Sequence, residues 1–341
     1  MLYFMSDYTE GAHPKVLKRL IELNMVSLPG YGEDEYCLMA KDKIRKFCGR
    51  DDLQIEFLTG GTQTNQIVIS TMLRRYEGVM AADTGHINVH EAGAIEYTGH
   101  KVLPLPSREG KVKADDMREY LKRFYNDGTH EHMVFPGMLY ISHPTELGSL
   151  YSKKELEELS KLCREYNIPL YMDGARLGYG LMSDKSDVTI EDICRLCDVF
   201  YIGGTKVGAL CGEAVVFTRN NRPAGFTTMT KQQGAMLAKG RLIGMQFDAL
   251  FTDNLYLEIG KTGIDAAMKL KKAFVQKGYE LYIDSPTNQQ FVILSPEQYE
   301  RLSKEALFSI WERIDSQHIA VRFVTSWASC DEDIDKLISI L

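Results

Sequence analysis

The chain has no apolar run that approaches membrane-span length. Its opening residues, MLYFMSDYTEG, lack a basic leader and a small-residue cleavage site, so secretion is not expected. Cysteine is sparse, seven residues scattered without the regular spacing of a disulfide framework. Cys194 and Cys197 are spaced CxxC, but a second pair and nearby histidines are missing, so no metal is expected there. Buried thiols in a reducing compartment, the cytoplasm, fit better. Positive charge is the minority sign, 40 Lys and Arg against 47 Asp and Glu, giving a net charge of −7, which argues against a nucleic-acid surface. Low-complexity linkers and internal repeats are also lacking. What remains is ordinary globular material, 44% hydrophobic and 26% charged, and 341 residues suffice for about two domains.

From Asp51 to about Phe217, short apolar runs alternate with amphipathic helical stretches. The runs are Ile55–Leu58, Val79–Ala82, Val102–Leu105, Met138–Ser142, Ile168–Met172, Val199–Ile202 and Ala214–Phe217. Ser152 and Glu155 form a capping box ahead of Leu156, Leu159 and Leu162 at helical spacing. Such alternation predicts an α/β fold, a mostly parallel sheet sandwiched by helices, with its ligand beyond the carboxyl ends of the strands. Long helices are expected from Gln232 to about Lys277. A smaller α+β section should follow, with a strand at Gln290–Leu294, a helix around Glu300–Asp315, a strand at Ala320–Val324 and a final helix after Ser329. The expected division is a large part, 1–250 with an N-terminal arm, and a small C-terminal part, 251–341.

One lysine stands out. Lys206 lies in Tyr201-Ile202-Gly203-Gly204-Thr205-Lys206-Val207-Gly208, directly behind an apolar strand. An ammonium in such a place is expected to be neutralised, paired or covalently engaged. About 30 residues earlier another strand ends in Asp173-Gly174-Ala175-Arg176. A lysine able to form a Schiff base and a strand-end aspartate able to hold a pyridinium nitrogen are what pyridoxal phosphate chemistry requires. Arg176 adds a planar fork suited to a carboxylate, although an Asp–Arg ion pair at a strand end explains those two residues equally simply.

Gly60-Gly61-Thr62-Gln63-Thr64-Asn65 follows the first of these strands and opens a helix. Backbone N–H groups at such a start can cradle a phosphate, with a hydrogen bond added by Thr62; a plain helix cap after a tight turn is the other reading. The stretch lacks both the Walker and the dinucleotide spacing. His86, in Asp83-Thr84-Gly85-His86, could stack on a cofactor ring or simply serve its loop, and His90 and Glu91 lie one helical turn further on.

With these residues in hand, the chain resembles the threonine aldolase branch of the β-eliminating lyases, fold-type I pyridoxal phosphate enzymes. The likeness runs through Ser6-Asp7, Tyr31-Gly32-Glu33-Asp34, Gly60-Gly61-Thr62, Gly85-His86-Ile87, Asp173-Gly174-Ala175-Arg176, Thr205-Lys206 and Val321-Arg322-Phe323-Val324-Thr325. It implies that Lys206 carries the cofactor, Asp173 its ring nitrogen and His86 its ring face, with Gly61 and Thr62 on the phosphate. It also implies that Ser6, Arg176 and Arg322 hold the substrate carboxylate, that Tyr31 lines the site, and that Arg241 contacts a phosphate across a dimer or tetramer interface. Two positions depart from the family pattern. Glu146 stands where many members have a histidine, and His90 where the family has an aromatic residue; both face the substrate side chain. The expected reaction is cleavage of threonine or allo-threonine to glycine and an aldehyde, with Glu146, His90, His86 or water as the base. A different lyase reaction on this scaffold, β-elimination or phenylserine cleavage, is the first alternative, and a non-catalytic binding protein the second.

Overall fold

Seven strands build the central sheet of the computed structural model, which describes residues 1–341. They are β1 (Gln54–Leu58), β2 (Glu77–Ala82), β3 (Val102–Leu105), β4 (Phe135–Ser142), β5 (Leu170–Asp173), β6 (Val199–Gly203) and β7 (Glu213–Phe217), in the spatial order β1-β7-β6-β5-β4-β2-β3. Only β7 runs against its neighbours, β1 and β6. Every apolar run expected from the sequence contains a strand, most of them extended by one to three residues at an end, while the run expected from Ile168 starts as a strand only at Leu170.

Alternation along each strand feeds two cores. Val79 and Ala81 face one side and Met80 and Ala82 the other, as do Val199 and Tyr201 against Phe200 and Ile202. Both faces are therefore apolar, as a sheet covered on both sides requires. Helix α3 (Gly61–Met72) covers one side through Ile67, Val68 and Ile69. The other side is covered by α1 (Pro14–Leu23), α2 (Glu35–Phe47), α4 (Lys153–Glu165) and α5 (Arg241–Leu250), with Val16, Ile44, Leu159 and Phe247 at the contacts. The Ser152–Glu155 capping box starts α4 as expected. Burying each large aliphatic or aromatic side chain here is worth about 1.5–3 kcal/mol.

Helix α6 (Leu255–Gln276) begins just past residue 250 and belongs to both parts. Its Tyr256, Ile259 and Ile264 join the large core, while Leu270 and Phe274 join a second core with Val292, Phe308 and Phe323. That second core lies under an antiparallel sheet of β8 (Glu280–Ile283), β9 (Gln289–Leu294), β10 (Ser309–Arg313) and β11 (Ile319–Val324), in the order β8-β9-β11-β10. The chain's first residues also reach it: Leu2–Tyr3 pairs in parallel with Ala306–Leu307, and Leu2 and Phe4 pack in the same core.

The helix expected around Glu300–Asp315 is overturned. A helix occupies Pro296–Ser303 instead, started by Pro296 in its first turn and by the Ser295–Gln298 capping box. Beyond it the chain turns to strand, because Ala306, Phe308 and Ile310 are spaced by two rather than by three or four, and β10 completes the sheet edge against β11. The final helix, Asp331–Ile340, opens on three acids as expected. No helix is long and apolar enough to cross a membrane.

Candidate active site

A cavity of about 350 Å³ opens beyond the carboxyl ends of the strands, where an α/β sheet places its ligands. It gathers Gly61, Thr62, His86, Glu146, Asp173, Arg176 and Lys206, which approach from five separate segments.

Lys206 follows β6 in a turn held from several sides. Thr205 and Gly204 donate backbone N–H to the Gly212 carbonyl, and the Tyr179 hydroxyl donates to the carbonyl of Lys206 itself at 2.8 Å. Gly208 in the same turn has φ +89°, in the left-handed region that glycine enters freely. Burial and the Arg176 guanidinium lower the lysine pKa, against the opposing pull of Asp7, Asp173 and Glu213. A lysine so placed has more of its amine free to act as a nucleophile.

Asp173 ends β5, fully enclosed by donors. The Tyr140 hydroxyl donates to its Oδ2 at 2.6 Å, Asn65 Nδ2 donates to the same oxygen at 3.2 Å, and the Ala175 N–H donates to Oδ1 at 2.9 Å. Burial alone would raise its pKa, but His86 and the hydroxyls of Tyr140 and Tyr201 outweigh burial and bring it below the ordinary value. The carboxylate therefore stays charged inside the protein. Gly174 must follow it, because a Cβ there would lie 2.0 Å from the Tyr201 carbonyl oxygen.

His86 opens a short helix after β2. Its Nδ1 lies 2.7 Å from Glu91 Oε1, an oxygen that also receives Asn65 Nδ2 at 2.8 Å. An oxygen accepting from both sides places the proton on Nδ1 and leaves Nε2 free. Asn65 thus links the carboxylates of Asp173 and Glu91, and its own carbonyl accepts from the Tyr171 hydroxyl at 2.7 Å. Helix α3 begins at Gly61 with no side-chain cap, so its first N–H groups have no protein side chain on them and the cavity is lined by Gly60, Gly61 and Thr62. An anionic group fits that opening by geometry and by the sign of the helix dipole.

Glu146 lines the same cavity. Its Oε1 accepts from the Ser142 hydroxyl at 2.5 Å and from the His86 backbone N–H at 3.0 Å. Burial raises its pKa, with Asp173 adding to the effect against the hydrogen bond from Ser142.

The two arginines differ. One edge of the Arg176 fork is taken, since Nε and Nη2 donate to the two oxygens of buried Asp7 at 2.7 and 3.0 Å, while the residue still lines the cavity. Asp7 itself is kept below its ordinary pKa because Arg176 and Lys206 overcome its burial. Arg322 on β11 has no acid partner. Its Nη1 donates to Gln289 Oε1 at 3.1 Å, its Nε is buried with no acceptor, and burial drops its pKa to about 10. A guanidinium short of acceptors beside an acid-paired one calls for an anion from outside the protein.

Five expected residues are not in the cavity lining: Arg322, His90, whose ring lies 5.6 Å from that of His86, and three others. Ser6 is buried beside the cavity, but its neighbours Asp7 and Tyr8 make the contacts, Asp7 with Arg176 and Tyr8 in the lining. Tyr31 is half-exposed at φ +61° on a separate cavity of about 280 Å³, with the Lys231 ammonium 4.8 Å from its ring. Arg241 donates to the Val26 carbonyl, also outside the cavity of its own chain. Sequence reasoning missed Asp7, Asn65, Tyr140 and Glu213. Glu213 begins β7, lines the cavity, and accepts from Gly204 N–H at 3.0 Å and from the Thr205 hydroxyl at 2.8 Å; burial raises its pKa to about 8. The one available signal was an acid at the mouth of an apolar strand, Gly212-Glu213-Ala214.

The profile of the family described as beta-eliminating lyase matches residues 4–290. The chain is 29% identical over 331 residues to a low specificity L-threonine aldolase of a Pseudomonas species, covering 95% of this chain and 92% of that one. It superposes on the solved threonine aldolase of Leishmania major with a TM-score of 0.96 and 39% identity, over 100% of this chain and 98% of that one. A histidinol-phosphate aminotransferase of Clostridium acetobutylicum, 14% identical over 100% of this chain and 98% of its own, shares the fold at a TM-score of 0.75. The architecture is that of the fold-type I enzymes.

Proposed function

Because this chain belongs to the beta-eliminating lyase family, we propose that it binds pyridoxal phosphate on Lys206 and cleaves a β-hydroxy-α-amino acid, threonine or allo-threonine, to glycine and an aldehyde. The observation that carries this reading is the meeting of Lys206, charged Asp173 and the uncapped start of α3 in one cavity. When bound, the cofactor supplies a sink for the electron pair left at the substrate α-carbon.

The protein's own groups do the rest. Lys206 offers the amine that holds the cofactor, the α3 start receives its phosphate, and Asp173 keeps a proton on its ring nitrogen. Arg322 binds the substrate carboxylate and so decides which bond at the α-carbon is free to break. Proton removal from the β-hydroxyl falls to Glu146, whose Oε2 is not engaged, or to the free Nε2 of His86. Scoring glycine release across a panel of β-hydroxy amino acids tests the assignment; a keto acid and ammonia in place of glycine would point to β-elimination instead.

Three variants separate these roles. Arg322→Lys keeps the charge and loses the fork, so kcat/KM should fall by about 1–3 kcal/mol, mostly through KM. Unchanged kinetics would place the carboxylate elsewhere. Arg176→Lys should act chiefly on stability, since its partner is Asp7. Glu146→Gln should lower turnover about 100-fold while the cofactor colour persists. A base must be ionised to act, and burial raises this pKa, so wild-type turnover should fall with acid at a higher pH than an ordinary carboxylate would give. The Gln variant should lose that limb. If rate and pH profile both stay as in the wild type, the base is not Glu146.

The reading extends to a homodimer or homotetramer with shared sites. Leu17, Ile21 and Met25 along and after α1, and Leu38 on α2, are 45%, 68%, 88% and 54% exposed, more apolar surface than a lone chain needs to show. Tyr31 and Arg241, idle in their own chain's cavity, are then free to serve another's. Sedimentation of the purified protein as a monomer at micromolar concentration would remove this part.

A further inference from the structure

We infer that Trp311, working with His90, forms the wall that receives the substrate side chain beyond its β-carbon, and that this wall favours β-hydroxy amino acids with an aromatic side chain over threonine. The inference rests on the aldol reading above and names the substrate class for the same site. It starts from the placement of one partly exposed indole. Trp311 sits on the edge strand β10, where the pairing with β11 slips by one residue between Ile310 and Glu312. The Arg322 guanidinium lies 5.6 Å from the indole centroid, and buried Phe291 meets the indole edge-on at 5.1 Å. The His90 ring lies 6.4 Å from the indole at 62°, and His90 in turn is 5.6 Å from His86.

The indole therefore joins the group that would bind the carboxylate to His90 and, through it, to His86 in the cavity lining. Carboxylate and side chain leave a β-hydroxy amino acid from adjacent carbons. A surface touching Arg322 at one end and His90 at the other borders the side chain when the carboxylate is on Arg322. The two rings come from different lobes, His90 from the segment after β2 and Trp311 from the small sheet. Aromatic rings prefer edge-to-face or offset contact at such separations, which an aryl group can make and a methyl group cannot.

The test measures binding and turnover in cofactor-loaded wild type, Trp311→Leu and Trp311→Phe, with thermal melting to confirm that each variant is folded. Binding of glycine, threonine and phenylserine is read from the change in cofactor absorbance, and turnover from glycine release. Trp311→Leu should weaken phenylserine binding and its kcat/KM about two- to tenfold more than the threonine values. Glycine, which has no side chain, should bind within about twofold of wild type, and Phe should recover most of the loss. Equal weakening of glycine, threonine and phenylserine would overturn the inference, leaving Trp311 only as a support for Arg322. An unchanged ratio between phenylserine and threonine would overturn it as well. Should the wild type bind all three yet release no glycine, the aldol reading fails while the binding ratios still decide the wall.

Discussion

Lys206→Ala protein is expected to emerge from purification without the cofactor's colour and to release glycine at least about 10³-fold more slowly than wild type. The loss should exceed that of any other single change, because the residue does two things that no neighbour can duplicate. It carries the only lysine amine in the cavity, and it sits in a turn fixed by Tyr179, Gly212 and Glu213, so no other lysine can swing into its place. Borohydride treatment of wild type should attach the cofactor to this residue alone. Label on another lysine, or a coloured and active alanine variant, would end the assignment.

Asp173→Asn is expected to cost about 10³-fold in turnover with the cofactor still held. The change is nearly isosteric but removes a charge that the site keeps ionised against its burial. It also sets an amide among donors: Tyr140 and Asn65 both point hydrogens at Oδ2, and the Ala175 N–H faces Oδ1. Whichever way the amide turns, one end brings a donor against a donor, and the ring nitrogen loses its counter-charge. The absorbance of the bound cofactor should therefore shift as well. Turnover within a few-fold of wild type would show that the ring nitrogen is held by another group.

Much of this was legible in the sequence, and the parts that were not share a cause. The central strands were readable because both faces of the sheet are buried there, so a strand such as β6 is an unbroken apolar run between polar turns. Lys206, Asp173 and His86 stood out because polar residues just behind such runs must lie at the sheet's carboxyl edge, and Glu146 only as a departure from the family pattern. The segment after Ser303 misled because Ala306, Phe308 and Ile310 follow directly on the charged Lys304 and Glu305 at the end of a helical pattern, and a short edge strand shows too few alternations to be told from a helix. Asp7 and Asn65 escaped for another reason. Their roles depend on partners 169 and 26 residues away, Arg176 and Glu91, and no local pattern marks such a pair. The Asp7 contact of Arg176 was missed for the same reason.

The pairing of Leu2–Tyr3 with Ala306–Leu307 sets the order in which this enzyme can come into being on a ribosome. At about 5–20 residues per second, the roughly 300 residues between the two segments take some 15–60 s to synthesise. For most of that interval Leu2 and Phe4 have no core to enter, since their cluster starts only at Leu270, and Phe308 and Phe323 come later still. Asp7 can meet Arg176 partway, but Arg322 follows the second segment. A nascent chain can thus complete its central sheet and most of its cavity well before it has Arg322. Until the small sheet forms, the apolar Leu2–Phe4 segment is a natural client for chaperones.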